Sequence, residues 1–193
     1  STFIFNNFAD KYTTGWLSRP TQKVYEIIEK LKKVDAGKTI FIGGAGLCDI
    51  ALLFPNCTIK GYSEYGFFEE LSGDKEMWAL GQIRLFAAGI KSEIKPFYED
   101  TKNSQYMSDV DIAIFGYSYL FFNGSEHLFQ YMKPNSEFLL FLDKQNAAGN
   151  SMAGLTKMLV EKKCIYSIVS FEEPNDTILS TTKTTICVRA NKS

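Results

Sequence analysis

The feature that most constrains the fold is a regular alternation of short apolar runs with helix-like segments. Apolar residues recur at helical spacing in several segments, such as 20–33 and 151–163. Short apolar runs of strand character lie between such segments, at 39–44, 57–64, 92–100, 109–118 and 138–144. This alternation predicts a parallel sheet with helices on both faces, because a parallel neighbour is reached only through a crossover connection.

The C-terminal part of the chain departs from the alternation. Residues 164–173 and 181–190 read as two more strands, and the connection between them is too short for a helical crossover. We therefore predict that these two strands pair antiparallel. The expected fold class is α/β, with a mostly parallel seven-stranded sheet, helices on both faces and an antiparallel C-terminal strand.

The length of 193 residues predicts a single domain, 1–193. Within it, 1–34 is interpreted as an N-terminal extension and helix on the side of substrate and cofactor, and 38–193 as the core. The sequence begins without Met, which favours an origin inside a longer polyprotein or replicase. No apolar run reaches the roughly 20 residues of a membrane span, so no membrane association is expected.

Charge and cysteine usage exclude some classes of function. The formal net charge of −1 gives no general attraction to nucleic acid. The four cysteines form no C-x-x-C pair, and with a single histidine, His127, they predict no metal site. We interpret them as reduced cysteines of a cytoplasmic protein.

A local basic segment is the exception to this charge balance. Between residues 11 and 38 the cationic side chains outnumber the acidic ones: Lys11, Arg19, Lys23, Lys30, Lys32, Lys33 and Lys38. They predict either an RNA-binding face or an ordinary solvated helix surface.

The clearest candidate for a binding site is the glycine cluster that follows the first apolar run. Gly43, Gly44, Ala45 and Gly46 lack bulk, so the backbone can approach a ligand closely and present N–H donors. We predict that a helix over 47–54 follows, ended by Pro55. The alternative is that the cluster is only a tight turn.

Three motifs carry a resemblance to a known family. Residues 18–27 read S-R-x-x-x-K-V-x-E-I in front of the glycine cluster, 60–63 read KGYS, and 132–142 read MKPNSEFLLFL. With the order of elements, they make the chain similar to class I S-adenosylmethionine-dependent methyltransferases. More narrowly, it resembles the bacterial rRNA ribose 2′-O-methyltransferases and the methyltransferase domain of flavivirus-type polymerases. The fold expected from this resemblance is the Rossmann-like methyltransferase fold.

The resemblance implies S-adenosylmethionine as cofactor and a set of residues that hold it. Ser18 is expected to reach the cofactor's carboxylate, and the turn at 43–46 to face its methionine part. Ser63 and Glu64 follow the second strand, where carboxylates accept hydrogen bonds from ribose hydroxyls. Glu99 and Asp100 follow the third, where a carboxylate accepts from the adenine amino group. Gly116, after the fourth strand, completes the predicted cofactor set.

The resemblance also implies a catalytic tetrad of Lys, Asp, Lys and Glu acting on RNA, in cap or ribose 2′-O methylation. Lys23 matches the first lysine, and a lysine of lowered pKa can serve as base for a hydroxyl. The other positions depart from the pattern, with Gly116, Phe141 and Thr184 in their places. Lys144 is the candidate second lysine.

Further departures leave other interpretations open. Phe41 stands where the family often carries an acidic residue. Glu172 and Glu173 either approach the site from the sixth strand or form the turn before Pro174. The alternative to an RNA methyltransferase is a catalytically inactive module that binds RNA or a protein partner. A dinucleotide-binding oxidoreductase is disfavoured, because GGAGLCD does not match G-x-G-x-x-G.

Overall fold

The computed structural model describes residues 22–31, 34–62, 74–96, 104–115, 131–143, 150–174 and 182–192. Within these ranges seven strands form one sheet: β1 (Thr39–Gly43), β2 (Thr58–Tyr62), β3 (Ser92–Lys95), β4 (Ile112–Phe115), β5 (Glu137–Asp143), β6 (Ile165–Pro174) and β7 (Thr182–Asn191). The described helices are α1 (Gln22–Glu29), α2 (Asp74–Ala87), α3 (Ser104–Met107) and α4 (Asn150–Glu161).

The strand order across the sheet is β3-β2-β1-β4-β5-β7-β6. Strands β1 to β5 run parallel to one another, whereas β7 runs antiparallel to both β5 and β6. The predicted fold class is therefore confirmed, including the antiparallel pairing of the last two strands.

Helices cover both faces of the sheet because successive strand residues point to opposite sides. On the first face, Val24 and Ile28 of α1, with Leu31 just after the helix, belong to the core that contains Ile40 and Ile42 of β1. On the second face, Phe41 belongs to the core that contains Leu155 and Leu159 of α4. A central strand such as β1 is buried along its whole length, as its uninterrupted apolar sequence predicts. No helix in the described ranges is both long and apolar enough to cross a membrane.

The predicted helix over 47–54 is wrong. The segment forms turns and a three-residue 3-10 helix, Ala51–Leu53. Cys48 has a positive φ of 65°, which a right-handed helix does not allow, and Phe54 is held outside the helical region before Pro55. The remaining residues are too few for an α-helix.

Two other boundaries differ from expectation. The short helix α3 has no periodic pattern and was missed. The third strand, expected over 92–100, is described as Ser92–Lys95, and 97–100 lie outside the described residues.

Gly61 allows β1 and β2 to approach closely. A Cβ at this position would lie 2.1 Å from the carbonyl oxygen of Ile42. The hydroxyl of buried Tyr106 accepts a hydrogen bond from the Gly61 N–H at 3.0 Å and lies 2.6 Å from the carbonyl oxygen of Glu93. Tyr106 therefore ties α3 to β2 and β3 at a point where a side chain on residue 61 would not fit.

Candidate functional site

The candidate site lies at the edge of the sheet where the parallel strands end. Gly43, the last residue of β1, is in register with Tyr62 of β2 on one side and with Phe115 of β4 on the other. Ligands of open α/β sheets bind outside the carboxyl ends of the strands, near the point where the strand order reverses. In this sheet that point is beside β1, whose neighbours are β2 and β4.

The glycine turn is tied to the end of β2 through its backbone. The N–H groups of Gly44 and Ala45 both donate to the carbonyl oxygen of Tyr62, at 3.0 and 2.9 Å. Gly44 and Gly46 have φ values of 80° and 53°, a left-handed conformation that favours glycine. The turn is thus well defined, but two of its donors already have a partner.

Aromatic rings occupy the space next to Gly43. A Cβ at Gly43 would lie 2.8 Å from both the Tyr62 hydroxyl oxygen and Cδ1 of Phe115. Phe41 packs against these two rings, with centroid distances of 5.8 Å to Tyr62 and 5.7 Å to Phe115. All three side chains are almost fully buried. The position where the resembled family often has an acidic residue is therefore part of an aromatic cluster.

Helix α2 closes the turn from the first face. A Cβ at Gly81 would lie 2.9 Å from the Gly46 carbonyl oxygen and from Sγ of Cys48, so only a glycine lets α2 come this close. Arg84 donates to the Leu47 carbonyl oxygen and forms an ion pair with Asp49, both at 2.6 Å. The signal for this contact in the sequence is Gly81 itself, because a glycine inside a helix often marks close packing.

Cys48 sits at the centre of this contact and is not a nucleophile. Burial raises the pKa of the Cys48 thiol to about 12, and Asp49 adds to the rise while Arg84 opposes it. The protonated thiol is unreactive, since the thiolate is the nucleophilic form. Cys48 serves as a small apolar contact for α2.

Lys23, the predicted catalytic residue, lies near the start of α1. Its ammonium nitrogen is 5.8 Å from the ring centroid of Phe171 on β6. Lys23 lines an open groove of about 530 Å³ together with Glu26, Ile27, Glu29, Lys30 and Phe171. Lys23 therefore lies beside Phe171, on the β6 side of the sheet.

A carboxylate on β6 is buried on the same face of the sheet as Phe171. Glu173 is 1% exposed, and the hydroxyl of Thr185 on β7 donates to it. Next to this pair, Thr184 donates to the exposed Glu172 at 2.6 Å. The interpretation of both glutamates as a turn is wrong, because β6 continues to Pro174. Phe141, in the second-lysine position, is fully buried in the core.

Several predicted site residues lie outside the described residues: Ser18, Ser63, Glu64, Glu99, Asp100, Gly116 and Lys144. They remain predictions. The structure thus brings the glycine turn together with Tyr62 and Phe115, and Lys23 together with Phe171.

Known proteins resemble this chain in fold but not in sequence. No family model matches the sequence, and no curated protein matches it. A precorrin-6y C5,15-methyltransferase from Geobacter metallireducens has 13% identity and a TM-score of 0.66 over 95% of each chain.

Two other structures that resemble this chain are methyltransferases named for different kinds of reaction. An rRNA methylase from Streptococcus thermophilus has 9% identity and a TM-score of 0.58, over 89% of this chain and 97% of its own. The O-methyltransferase TomG from Streptomyces achromogenes, involved in tomaymycin synthesis and crystallised with S-adenosylmethionine, has 8% identity and a TM-score of 0.59, over 90% of this chain and 81% of its own. These similarities establish the Rossmann-like methyltransferase fold for this chain.

Proposed function

We propose that this chain is an S-adenosylmethionine-dependent methyltransferase. The observation that carries the proposal is the strand order β3-β2-β1-β4-β5-β7-β6 with its single antiparallel strand, shared in outline by methyltransferases that act on unlike acceptors. The glycine turn stands at the carboxyl end of β1, where a ligand of such a sheet is expected. Bound S-adenosylmethionine supplies a methyl group activated on a sulfonium.

The residues proposed to hold the cofactor are the glycine turn, Ser18, and residues that follow β2, β3 and β4 in the chain. The turn at 43–46 faces its methionine part and Ser18 its carboxylate. Ser63 and Glu64 are proposed to accept from the ribose hydroxyls and Glu99 and Asp100 from the adenine amino group, and Gly116, which follows β4 in the chain, completes the proposed set. Carboxylates suit these places because they are strong acceptors for hydroxyl and amino donors.

The described residues fit this ligand only in part. The conformation of the turn suits a closely approaching ligand, since Gly44 and Gly46 carry no side chain. The rings of Tyr62 and Phe115, however, fill the space beside Gly43. Binding on that side requires these two rings to turn away.

RNA is our proposed acceptor, in cap or ribose 2′-O methylation. Support comes from the S-R-x-x-x-K motif and from the basic residues between 11 and 38. The groove itself carries no net charge, because Lys23 and Lys30 are balanced by Glu26 and Glu29. Lys23, at the groove, is proposed to take the proton of the acceptor hydroxyl on its Nζ, with Lys144 as the second cation.

A second candidate function is a binding module without methyl transfer. Three observations favour it: the Gly44 and Ala45 donors are bonded to Tyr62, the rings stand over Gly43, and Phe41 replaces an acidic residue. In this case the fold serves RNA or a protein partner, and neither cofactor affinity nor methyl transfer is expected.

Calorimetric titration with S-adenosylmethionine and S-adenosylhomocysteine separates the two candidates. Micromolar affinity, about −8 kcal/mol, supports the methyltransferase, whereas no heat at millimolar ligand contradicts it and favours the binding module. Glu64→Gln and Asp100→Asn should weaken binding at least ten-fold. Glu161→Gln, an exposed carboxylate paired with Lys157 on α4, is the matched control and should change nothing.

A Gly43 variant is a poor choice for this test, because any side chain there also displaces Tyr62 and Phe115. If the native chain binds S-adenosylmethionine but Glu64→Gln and Asp100→Asn bind it equally well, the assignment of these two residues is wrong, while the assignment of the cofactor is retained.

Methyl transfer to capped and uncapped RNA is then measured for Lys23→Ala. Lys157→Ala, an exposed lysine on α4 outside the groove, is the control and should retain the native rate.

A further inference from the structure

Strand β6 forms one outer edge of the sheet and is ten residues long. It pairs with β7 along its whole length, and within the described residues no strand lies on its other side. The backbone N–H and C=O groups of an unpaired edge are a template for pairing with another strand.

Exposed apolar side chains occur on both faces of this edge strand. Ile165 and Val169 are 79% and 53% exposed on the first face, and Tyr166 and Ile168 are 37% and 43% exposed on the second. Single exposed apolar residues are common, but four within five consecutive positions form a patch that usually marks an interaction site. We define these four residues as the β6 edge patch.

The opposite edge of the sheet lacks these features. Strand β3 has four residues, and its Glu93 and Lys95 side chains form an ion pair at 3.0 Å. The Glu93 carbonyl oxygen already accepts from the Tyr106 hydroxyl. Short length and charge are the usual protection of an edge against unwanted pairing. Within the part of the chain that the structure describes, β6 is therefore the edge left available for pairing.

We propose that the β6 edge patch pairs antiparallel with the β6 edge patch of a second copy of this chain, around a two-fold axis at Ser167. In this register Ile165 faces Val169 of the partner subunit, and Tyr166 faces Ile168 of the partner subunit. All four apolar side chains are then matched with one another, as a two-fold interface requires. The sheet becomes continuous across the two copies.

The charges at the two ends of β6 favour the same arrangement. Lys162 and Lys163 precede the strand, and Glu172 lies near its end. Antiparallel pairing about Ser167 brings the lysines of each copy beside Glu172 of the partner subunit. A parallel arrangement would instead place like charges next to each other. The charge pattern therefore selects a second copy in antiparallel orientation, and this inference does not depend on cofactor binding.

Sedimentation or light scattering of the native chain at micromolar concentrations gives the first test. We expect a particle of twice the chain mass of 21.8 kDa. Ile168→Lys and Val169→Lys should each weaken the dimer at least ten-fold while the melting transition of the monomer is retained. The matched control is Ile83→Lys on α2, which is 59% exposed and far from β6 in the chain, and it should leave the dimer intact.

A cysteine at the axis tests the register. Ser167→Cys should form a disulfide-linked dimer under mild oxidation, because antiparallel residues that face each other across an axis lie within disulfide distance. Ser92→Cys on the β3 edge is the control and should remain monomeric in a denaturing gel, as should the native chain with its own cysteines. A native chain that stays monomeric at about 100 micromolar overturns the proposal. Equal dissociation by Ile83→Lys and Ile168→Lys, or no cross-link through residue 167, also overturns it.

Discussion

The two halves of the sheet differ in how completely the chain's own side chains fill the space around them. We call the filled half closed and the other half open. In the half formed by β3, β2, β1 and β4, side chains of the chain itself fill the available spaces: Tyr62 and Phe115 beside Gly43, Gly81 against Gly46, and Tyr106 at Gly61. In the half formed by β5, β7 and β6, a carboxylate is buried at Glu173 and an apolar edge is left exposed. The closed half contains the expected cofactor turn, whereas the open half contains the surfaces available for new contacts.

The strongest test of the closed half is Gly61→Ala. The new Cβ would lie 2.1 Å from the Ile42 carbonyl oxygen, so β1 and β2 would have to separate. We expect the free energy of unfolding, measured by urea denaturation, to fall by more than about 4 kcal/mol. Gly89→Ala is the control: its φ of 69° is also left-handed, but no atom lies within 4 Å of the new Cβ, so about 1–2 kcal/mol is expected. Similar losses in the two variants would show that close strand approach is not the constraint.

The next largest effect concerns the open half. Thr185→Val removes the hydroxyl that donates to the buried Glu173 carboxylate, and we expect a loss of about 2–3 kcal/mol because hydrogen bonds to buried charged groups are strong. Thr184→Val removes the equivalent bond to exposed Glu172 and should change stability by less than about 0.5 kcal/mol. Thermal or urea unfolding of both variants measures the difference. Equal losses of stability in the two variants would show that the hydrogen bond to Glu173 contributes no more than the bond to exposed Glu172.

A smaller effect is expected from Tyr106→Phe in the closed half. The variant keeps the ring but leaves the Gly61 N–H and the Glu93 carbonyl without the hydroxyl, which should lower stability by about 1–2 kcal/mol. Tyr166→Phe on the exposed edge is the control, with an expected change near zero. Faster hydrogen exchange at the Gly61 amide in Tyr106→Phe would identify the broken contact, and unchanged protection there would contradict it.

The smallest effect is a pH dependence at the opposite end of the closed half. Partial burial of Asp111 acts to raise its pKa, but the hydrogen bonds from Lys133 and the Thr39 N–H, with the charges of Lys133 and Lys38, outweigh it and lower the pKa below the ordinary value of 3.8. The carboxylate therefore stabilises the fold above pH 3.8, and this contribution is lost as the pH falls through the lowered pKa.

Asp111→Asn should accordingly lower stability by about 1 kcal/mol at neutral pH. Denaturation curves between pH 5 and about pH 2 should show a shallower decline for this variant than for the native chain. Parallel pH profiles for the two proteins would exclude a role of Asp111 in acid sensitivity.

The sequence predicted the parts of the fold that depend on local pattern. Uninterrupted apolar runs identified β1 and β4, and the short connection after residue 173 predicted the antiparallel pairing of β6 and β7. The helix predicted over 47–54 is absent because Cys48 adopts a left-handed conformation. This conformation is unusual for cysteine, so the sequence gives no signal for it.

The candidate site was less predictable because it depends on contacts between residues distant in the chain. The turn at 43–46 was located correctly, but its closure comes from Tyr62, Phe115 and Gly81. The burial of Glu173 likewise depends on its pairing with β7, and two adjacent glutamates before a proline resemble a solvated turn in sequence alone. Residue types reveal candidates for chemistry, whereas the partners that fill or support a site are set by tertiary packing.

The double hydrogen bond from Gly44 and Ala45 to the Tyr62 carbonyl oxygen has a consequence for ligand binding. These two bonds hold the turn after β1 and the end of β2 together, so we expect the two segments to move as one. A ligand part that displaces one of these places would also move the other, so we expect the binding of one part of such a ligand to change the affinity for its other part. Adenosine and methionine, titrated separately and then together, should therefore influence each other's affinity by the same factor.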